Sequence, residues 1–157
     1  MPFDIPDNWE WVRLSEVSFN VGGVQNKILQ RDILEKGEIP VISQSQSLIE
    51  GYSNDKDKIL ENPGELIVFG DHSKTLKYID FDFIIGADGT RILCPFEISG
   101  RYLYYSIQLL IVDLITQNYG RHYKFIKDAF ISLPPLAEQK RIVEKLDKIL
   151  LILEGIE

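Results

Sequence analysis

Leu133-Pro134-Pro135-Leu136-Ala137-Glu138-Gln139-Lys140-Arg141-Ile142-Val143 is the stretch that divides this chain into its parts. A residue ahead of proline is pushed out of the helical region, while proline itself is tolerated at the first position of a helix. The pair Pro134-Pro135 therefore forces an extended turn and allows a helix to start. Beyond it Ile142, Leu146, Ile149, Leu153 and Ile156 recur at alternating spacings of four and three, the pattern of a coiled-coil seam. A helix of about six turns with such a stripe needs something to cover it. The spacing thus predicts a globular domain over residues 1–133 and an assembly helix over 134–157.

Upstream of the prolines the apolar pattern changes period. Phe130 to Leu133 is a short apolar run, and Trp9 to Leu14 alternates like a strand. Further β-rich runs fall at Ile39 to Ile42, Leu66 to Phe69, Lys77 to Ile79, Phe83 to Ile85 and Arg91 to Cys94. Turn formers separate them at Asn62-Pro63-Gly64, Asp71 to Ser73 and Asp88-Gly89. Ser99 is suited to cap a helix whose buried face carries Leu103, Ile107, Leu110, Ile111 and Leu114, with Gly120 as its stop. The expected class is α+β: one twisted, mainly antiparallel sheet packed by helices, followed by a C-terminal coiled-coil helix.

Composition bounds what such a chain does. Its 157 residues suffice for one domain, and 45% hydrophobic with 26% charged side chains is the balance of an ordinary globular protein rather than a disordered one. The segment Met1-Pro2-Phe3-Asp4-Ile5-Pro6 carries no basic residue ahead of an apolar run. The longest apolar run, Ile149 to Leu153, is far too short for a bilayer, so neither secretion nor a membrane partner is expected. A single cysteine, Cys94, leaves no internal disulfide and no multi-cysteine metal site, which points to a reducing, cytoplasmic setting. The net charge of −7 is distributed unevenly. Residues 1–70 hold six basic and twelve acidic side chains, 71–127 seven and six, and 128–157 four and six. Only the middle third escapes acid dominance, so a nucleic-acid reader built this way needs a local basic face, cationic partner subunits, or both.

The proline stretch resembles the hinge between a target-recognition domain and a conserved helix in the specificity subunits of type I restriction-modification systems. The opening Ile5-Pro6-Asp7-Asn8-Trp9-Glu10-Trp11-Val12-Arg13-Leu14 is similar to the start of such a domain. Gly37-Glu38-Ile39-Pro40-Val41-Ile42, Gly51-Tyr52, Phe69-Gly70-Asp71-His72, Gly86-Ala87-Asp88-Gly89 and Arg121-His122-Tyr123-Lys124-Phe125-Ile126 resemble recurrent points within it. The resemblance implies a sequence-specific reader of double-stranded DNA. In that family two recognition domains are held apart by antiparallel helices, and each reads half of a bipartite site. It also implies partners: methyltransferase subunits that modify adenine N6 with S-adenosylmethionine, an endonuclease subunit, and a second copy or a longer specificity subunit met through the helix. One domain and a short helix depart from the family pattern, and a half-subunit, a truncated product and an isolated domain all remain open. Two other readings stand beside it: a coiled-coil interaction module without DNA binding, and the recognition end of a single-chain restriction-methyltransferase.

No catalytic residue is expected. An amino-methyltransferase needs an Asn/Asp-Pro-Pro-aromatic loop, and the sole Pro-Pro lies between Leu133 and Leu136. Glu138-Gln139-Lys140 has the spacing of half a metal-dependent nuclease site, but at a helix start Glu138 is accounted for by the helix dipole. Gly86 to Arg91 does not match a phosphate-binding loop and reads as a turn. His72 and His122 lack ligand clusters, so no metal and no cofactor of the chain's own is expected. The candidate DNA contacts are Ser43, Gln44 and Gln46 in a polar run after a strand, where an amide can pair with adenine through donor and acceptor together. His72, Ser73, Lys74 and Thr75, then Thr90 and Arg91, then Arg121, His122, Tyr123 and Lys124, combine cations with other donors, as phosphate anchoring beside a base contact requires. Tyr123 is expected to lie against sugar or base.

Overall fold

The computed structural model describes residues 1–86, 88–114 and 122–155, with the backbone alone for Asp113 and Leu114. Its centre is β5 (Leu66–Gly70), all five residues of which are buried. A continuous apolar run is what a strand covered on both faces requires. Side chains alternate across it, so Ile67 and Phe69 enter one core cluster while Leu66 and Val68 enter another. β5 pairs antiparallel with β6 (Leu76–Ile79) on one side and β8 (Thr90–Pro95) on the other, and β2 (Ser18–Asn20) adds to the far edge of β8.

Two further sheets complete the domain. β3 (Ile39–Ile42) lies between β4 (Gly51–Ser53), antiparallel to it, and β7 (Ile84–Ile85), parallel to it. β1 (Glu10–Arg13) pairs antiparallel with β9 (Phe130–Leu133). The expected single sheet is therefore three sheets, mainly antiparallel, within the expected α+β class. Two strands, β2 and β4, were not foreseen because three residues are too few to display alternation. Phe130–Leu133, read as a short apolar run, is the strand β9.

The helix α1 (Gly100–Leu114) covers the four-stranded sheet with Leu103 and Ile107 fully buried. Ser99 caps it as expected, its hydroxyl accepting from the Tyr102 amide at 3.4 Å. The Glu65 carboxylate accepts from the Gly100 amide at 2.7 Å, placing negative charge at the positive end of the helix. The expected contribution of the Leu114 side chain and the stop at Gly120 lie outside the described residues.

The last helix, α3 (Leu136–Gly155), begins directly after the prolines. The Pro135 carbonyl accepts from the Glu138 and Gln139 amides at 2.9 and 3.0 Å. Its first turns are docked on the domain. Gln139, 1% exposed, accepts from the Ser99 amide at 2.9 Å and donates to the Pro134 carbonyl at 2.8 Å. Trp9 Nε1 donates to Glu138 at 2.9 Å. Two turns on, Arg101 meets Asp147 at 2.8 Å, and the Tyr105 hydroxyl donates to the same carboxylate. The Arg101 guanidinium also lies 4.9 Å from the Tyr78 ring centre. Tyr105 and Arg101 together hold the Asp147 carboxyl below its ordinary range.

The apolar stripe therefore divides. Ile142 packs against the domain core and Leu146 is half-buried, whereas Ile149 to Leu153 are exposed, Leu151 at 68%. Ile156 lies outside the described residues. Among the described residues no helix is long and apolar enough to cross a membrane.

Replacing Gln139 with Leu strands the Ser99 amide and the Pro134 carbonyl in a buried joint. The urea midpoint should fall by the equivalent of about 2–6 kcal/mol at unchanged m, since each of the two unmet groups costs about 1–3 kcal/mol. A midpoint equal to wild type contradicts the role given to this joint.

Candidate nucleic-acid interface

Strand direction brings three loops to one place. β3 and β7 are parallel with Ile42 beside Ile85, so the chain leaves them on the same side, into residues 43–48 after β3 and toward Asp88 and Gly89 after β7. β5 and β8 are antiparallel with Gly70 beside Thr90, so the turn leaving β5, 71–75, meets the segment entering β8. The short helix α2 (Tyr123–Ile126) closes against them.

Asp71 joins them. It is 2% exposed, and a buried carboxylate must be paired and hydrogen-bonded to be tolerated. One carboxylate oxygen accepts from the Tyr123 amide at 2.8 Å, and the other lies 3.7 Å from the Arg91 guanidinium. Its main-chain amide donates to the Gly89 carbonyl at 2.8 Å, and its carbonyl accepts from the His122 amide at 3.0 Å. The Tyr123 ring packs on Phe69 with centroids 6.3 Å apart and lies 5.1 Å beneath the Arg91 guanidinium.

Gln44 ties the same turns from the other side. Its Nε2 donates to the Asp88 carbonyl at 2.8 Å, and its Oε1 accepts from the His72 amide at 3.1 Å. Its main-chain carbonyl accepts from the hydroxyls of Ser73 at 2.7 Å and Thr75 at 3.1 Å. Beneath it the buried Lys77 donates to the Ser43 carbonyl at 2.8 Å, and burial pushes that ammonium below its ordinary value against the opposing pull of Glu50. Gly89 has φ +76°, and a Cβ there would stand 2.7 Å from the His72 ring. Glycine at this turn thus meets both the positive φ and the close approach.

The candidate residues fall into three groups. Gln46, His72, Ser73 and Lys124 are exposed on the face, with Lys74, Thr75, Gln44 and Arg91 half-buried beside them. Ser43, Thr90, His122 and Tyr123 are buried. The Tyr123 ring, expected against sugar or base, is turned inward because its place between Phe69 and Arg91 is the apolar one. Arg121 lies outside the described residues. The hydroxyl of Thr90 and Nδ1 of His122 have no hydrogen-bond partner among the described residues. A cavity of about 350 Å³ opens between the turns, lined by Lys27, Asp71, His72, Asp88, Gly89, Thr90 and Arg91. Lys27, which sequence reasoning passed over, reaches Asp88 at 3.9 Å. The central roles of Asp71 and Lys77 were missed as well. An aspartate after a strand reads as an ordinary turn residue, and nothing in a single sequence marks it as buried.

The face carries donors, acceptors and cations on loops fixed by their own hydrogen bonds. Among the described residues no group of three or more His, Cys, Asp or Glu is placed to hold a metal ion. The same domain carries a last helix whose far end, Ile149 to Leu153, is exposed. Residues 6–157 match the model of the type I restriction modification DNA specificity domain, and the chain belongs to that family. It is 24% identical over 151 residues to the type I restriction enzyme EcoR124I/EcoR124II specificity subunit of Escherichia coli, a match covering 88% of the chain and 37% of that protein. Its fold is that of the crystal structure of the HsdS subunit from Thermoanaerobacter tengcongensis, with TM-score 0.72, 24% identity, and 98% of this chain and 40% of that one covered. A chain of a type I R-M system, solved to explain complex assembly and conformational transition, is similar at TM-score 0.73 and 23% identity, over 99% of this chain and 41% of its own. The chain thus spans about two fifths of the length of these relatives.

Burial, with Lys74 adding repulsion, holds the His122 imidazole below its ordinary value. The neutral native imidazole therefore contributes stability that is fully present above the unfolded value of 6.5 and is lost as pH falls through the lower native one. Urea midpoints measured at pH 7.5 and pH 5 should fall further in the wild type than in His122→Gln. An equal fall in both contradicts the burial of a neutral imidazole.

Proposed function

We propose that this chain is the DNA-reading domain of a specificity subunit and directs adenine methylation and restriction by partner subunits while catalysing neither itself. The observation that carries this reading is the convergence of three loops and α2 on one face, locked from within by Asp71 and Gln44, in a chain of the specificity-domain family. Loops held by their own hydrogen bonds present side chains to a groove at little ordering cost, the condition for base readout. The exposed Gln46, His72 and Ser73 face base edges, while Lys124, Lys74 and Arg91, with Arg121 from the sequence pattern, meet phosphates.

The net charge of −7 fits a reader that works inside a complex. Partner methyltransferase and endonuclease subunits supply most of the phosphate contacts, and the methyltransferase holds S-adenosylmethionine. The uncovered end of α3 pairs with a second copy or with the conserved helix of a longer specificity subunit, which sets two recognition domains apart on two half-sites.

In the assembled complex, Lys124→Ala should weaken binding about equally on all sequences and lower the salt slope by roughly one. Gln46→Ala should instead lose about 1–3 kcal/mol of discrimination at one base pair. Identical affinity, salt slope and preference in both variants would remove the face from DNA. Exchanging Ile149 and Leu153 for Asp should leave the domain folded and abolish association, read by light scattering across micromolar concentrations. A wild type that stays monomeric alone and with its partner subunits contradicts the assembly role.

A further inference from the structure

We infer that Gln44 reads no base: it is the positioning residue that locks the three loops of the face together, and discrimination by the 43–48 loop falls to Gln46. This deepens the proposed function and rests on it. A glutamine that pairs with adenine must bring its amide edge, donor and acceptor together, into the plane of the base. In Gln44 each end of the amide is bound to the main chain of a different turn, Asp88 at one end and His72 at the other. Rotating it toward DNA breaks its bonds to the His72 amide and the Asp88 carbonyl at once. Its main chain is engaged too, by Ser73 and Thr75, and the preceding Ser43 carbonyl is held from below by Lys77.

The packing around the amide points the same way. The Gly89 Cα faces it so closely that a Cβ would stand 3.0 Å from Gln44 Nε2. At Gly70 a Cβ would stand 2.7 Å from Gln44 Cβ. Two glycines thus leave the space in which the clamp sits. Gln46, two residues along the same loop, is exposed, and among the described residues its amide makes no hydrogen bond. It has the donor and acceptor that Gln44 has already committed to the protein.

A clamp and a reader fail differently. In the assembled complex, methylation of a library holding every single-base-pair change of the site separates them. Gln44→Ala should relax discrimination at two or more base pairs together. Gly89→Ala should reproduce that profile although it removes no hydrogen-bonding side chain. Gln46→Ala should lose discrimination at one base pair only, by roughly 5- to 150-fold. Hydrogen exchange at the His72 amide of the folded chain reads the clamp without DNA and serves where Gly89→Ala does not accumulate: it should quicken in Gln44→Ala and stay as wild type in Gln46→Ala. Loss confined to one base pair in Gln44→Ala, or unchanged His72 exchange in that variant, overturns the positioning role. Wild-type discrimination in Gln46→Ala overturns the reader assignment. A wild-type complex without site selectivity, with His72 exchange responding as stated, removes the proposed function instead.

Discussion

One buried amide decides where the last helix points. Gln139 bridges the amide that opens α1 and the carbonyl that precedes α3, so the two helix starts cannot move apart without breaking both bonds. A hydrogen bond of this kind adds only about 1 kcal/mol net, but leaving its partners unmet in the interior costs more. The Arg101 to Asp147 pair and the Tyr105 hydroxyl repeat the attachment two turns later, which makes the first half of α3 part of the domain. What lies beyond is then a lever of fixed direction.

The same joint is tied to the loop face through one strand. β8 starts at Thr90 on the face and ends at Pro95, four residues before Ser99 in the joint. A six-residue strand spans about 20 Å, and this one is held on both edges by β5 and β2. The loop face and the first half of α3 therefore belong to one rigid body. Under the proposed function the face would have to arrive at its half-site at a distance and rotation set by the helix. That requirement accounts for a polar clamp where an apolar contact would hold the helix as firmly but less directionally.

Much of this was legible in the sequence. The run Leu66 to Phe69 declared a strand, Ser99 declared a cap, and the prolines declared the start of α3, because each follows from a local rule of sterics or hydrogen bonding. The partition into three sheets was not legible, since the parallel pairing of β3 with β7 joins residues some forty positions apart. Nor was the division of labour within the face. Gln44 and Gln46 look alike in sequence, and only the arrival of the His72 and Asp88 turns distinguishes them. The apolar stripe was legible as a stripe, but Ile142 and Ile149 differ in their surroundings because Asp147 holds the helix to the domain between them.

The proposed function makes this face the determinant of which DNA sequence a complex modifies. It is tested most directly by sequencing modified adenines in cells that carry the gene, lack it, or carry it with residues 43–48 and 71–75 exchanged for those of another member of the family. The account predicts one methylated motif that depends on the gene, and a change confined to one half of that motif when the loops are exchanged. An identical set of methylated adenines in all three strains would contradict it.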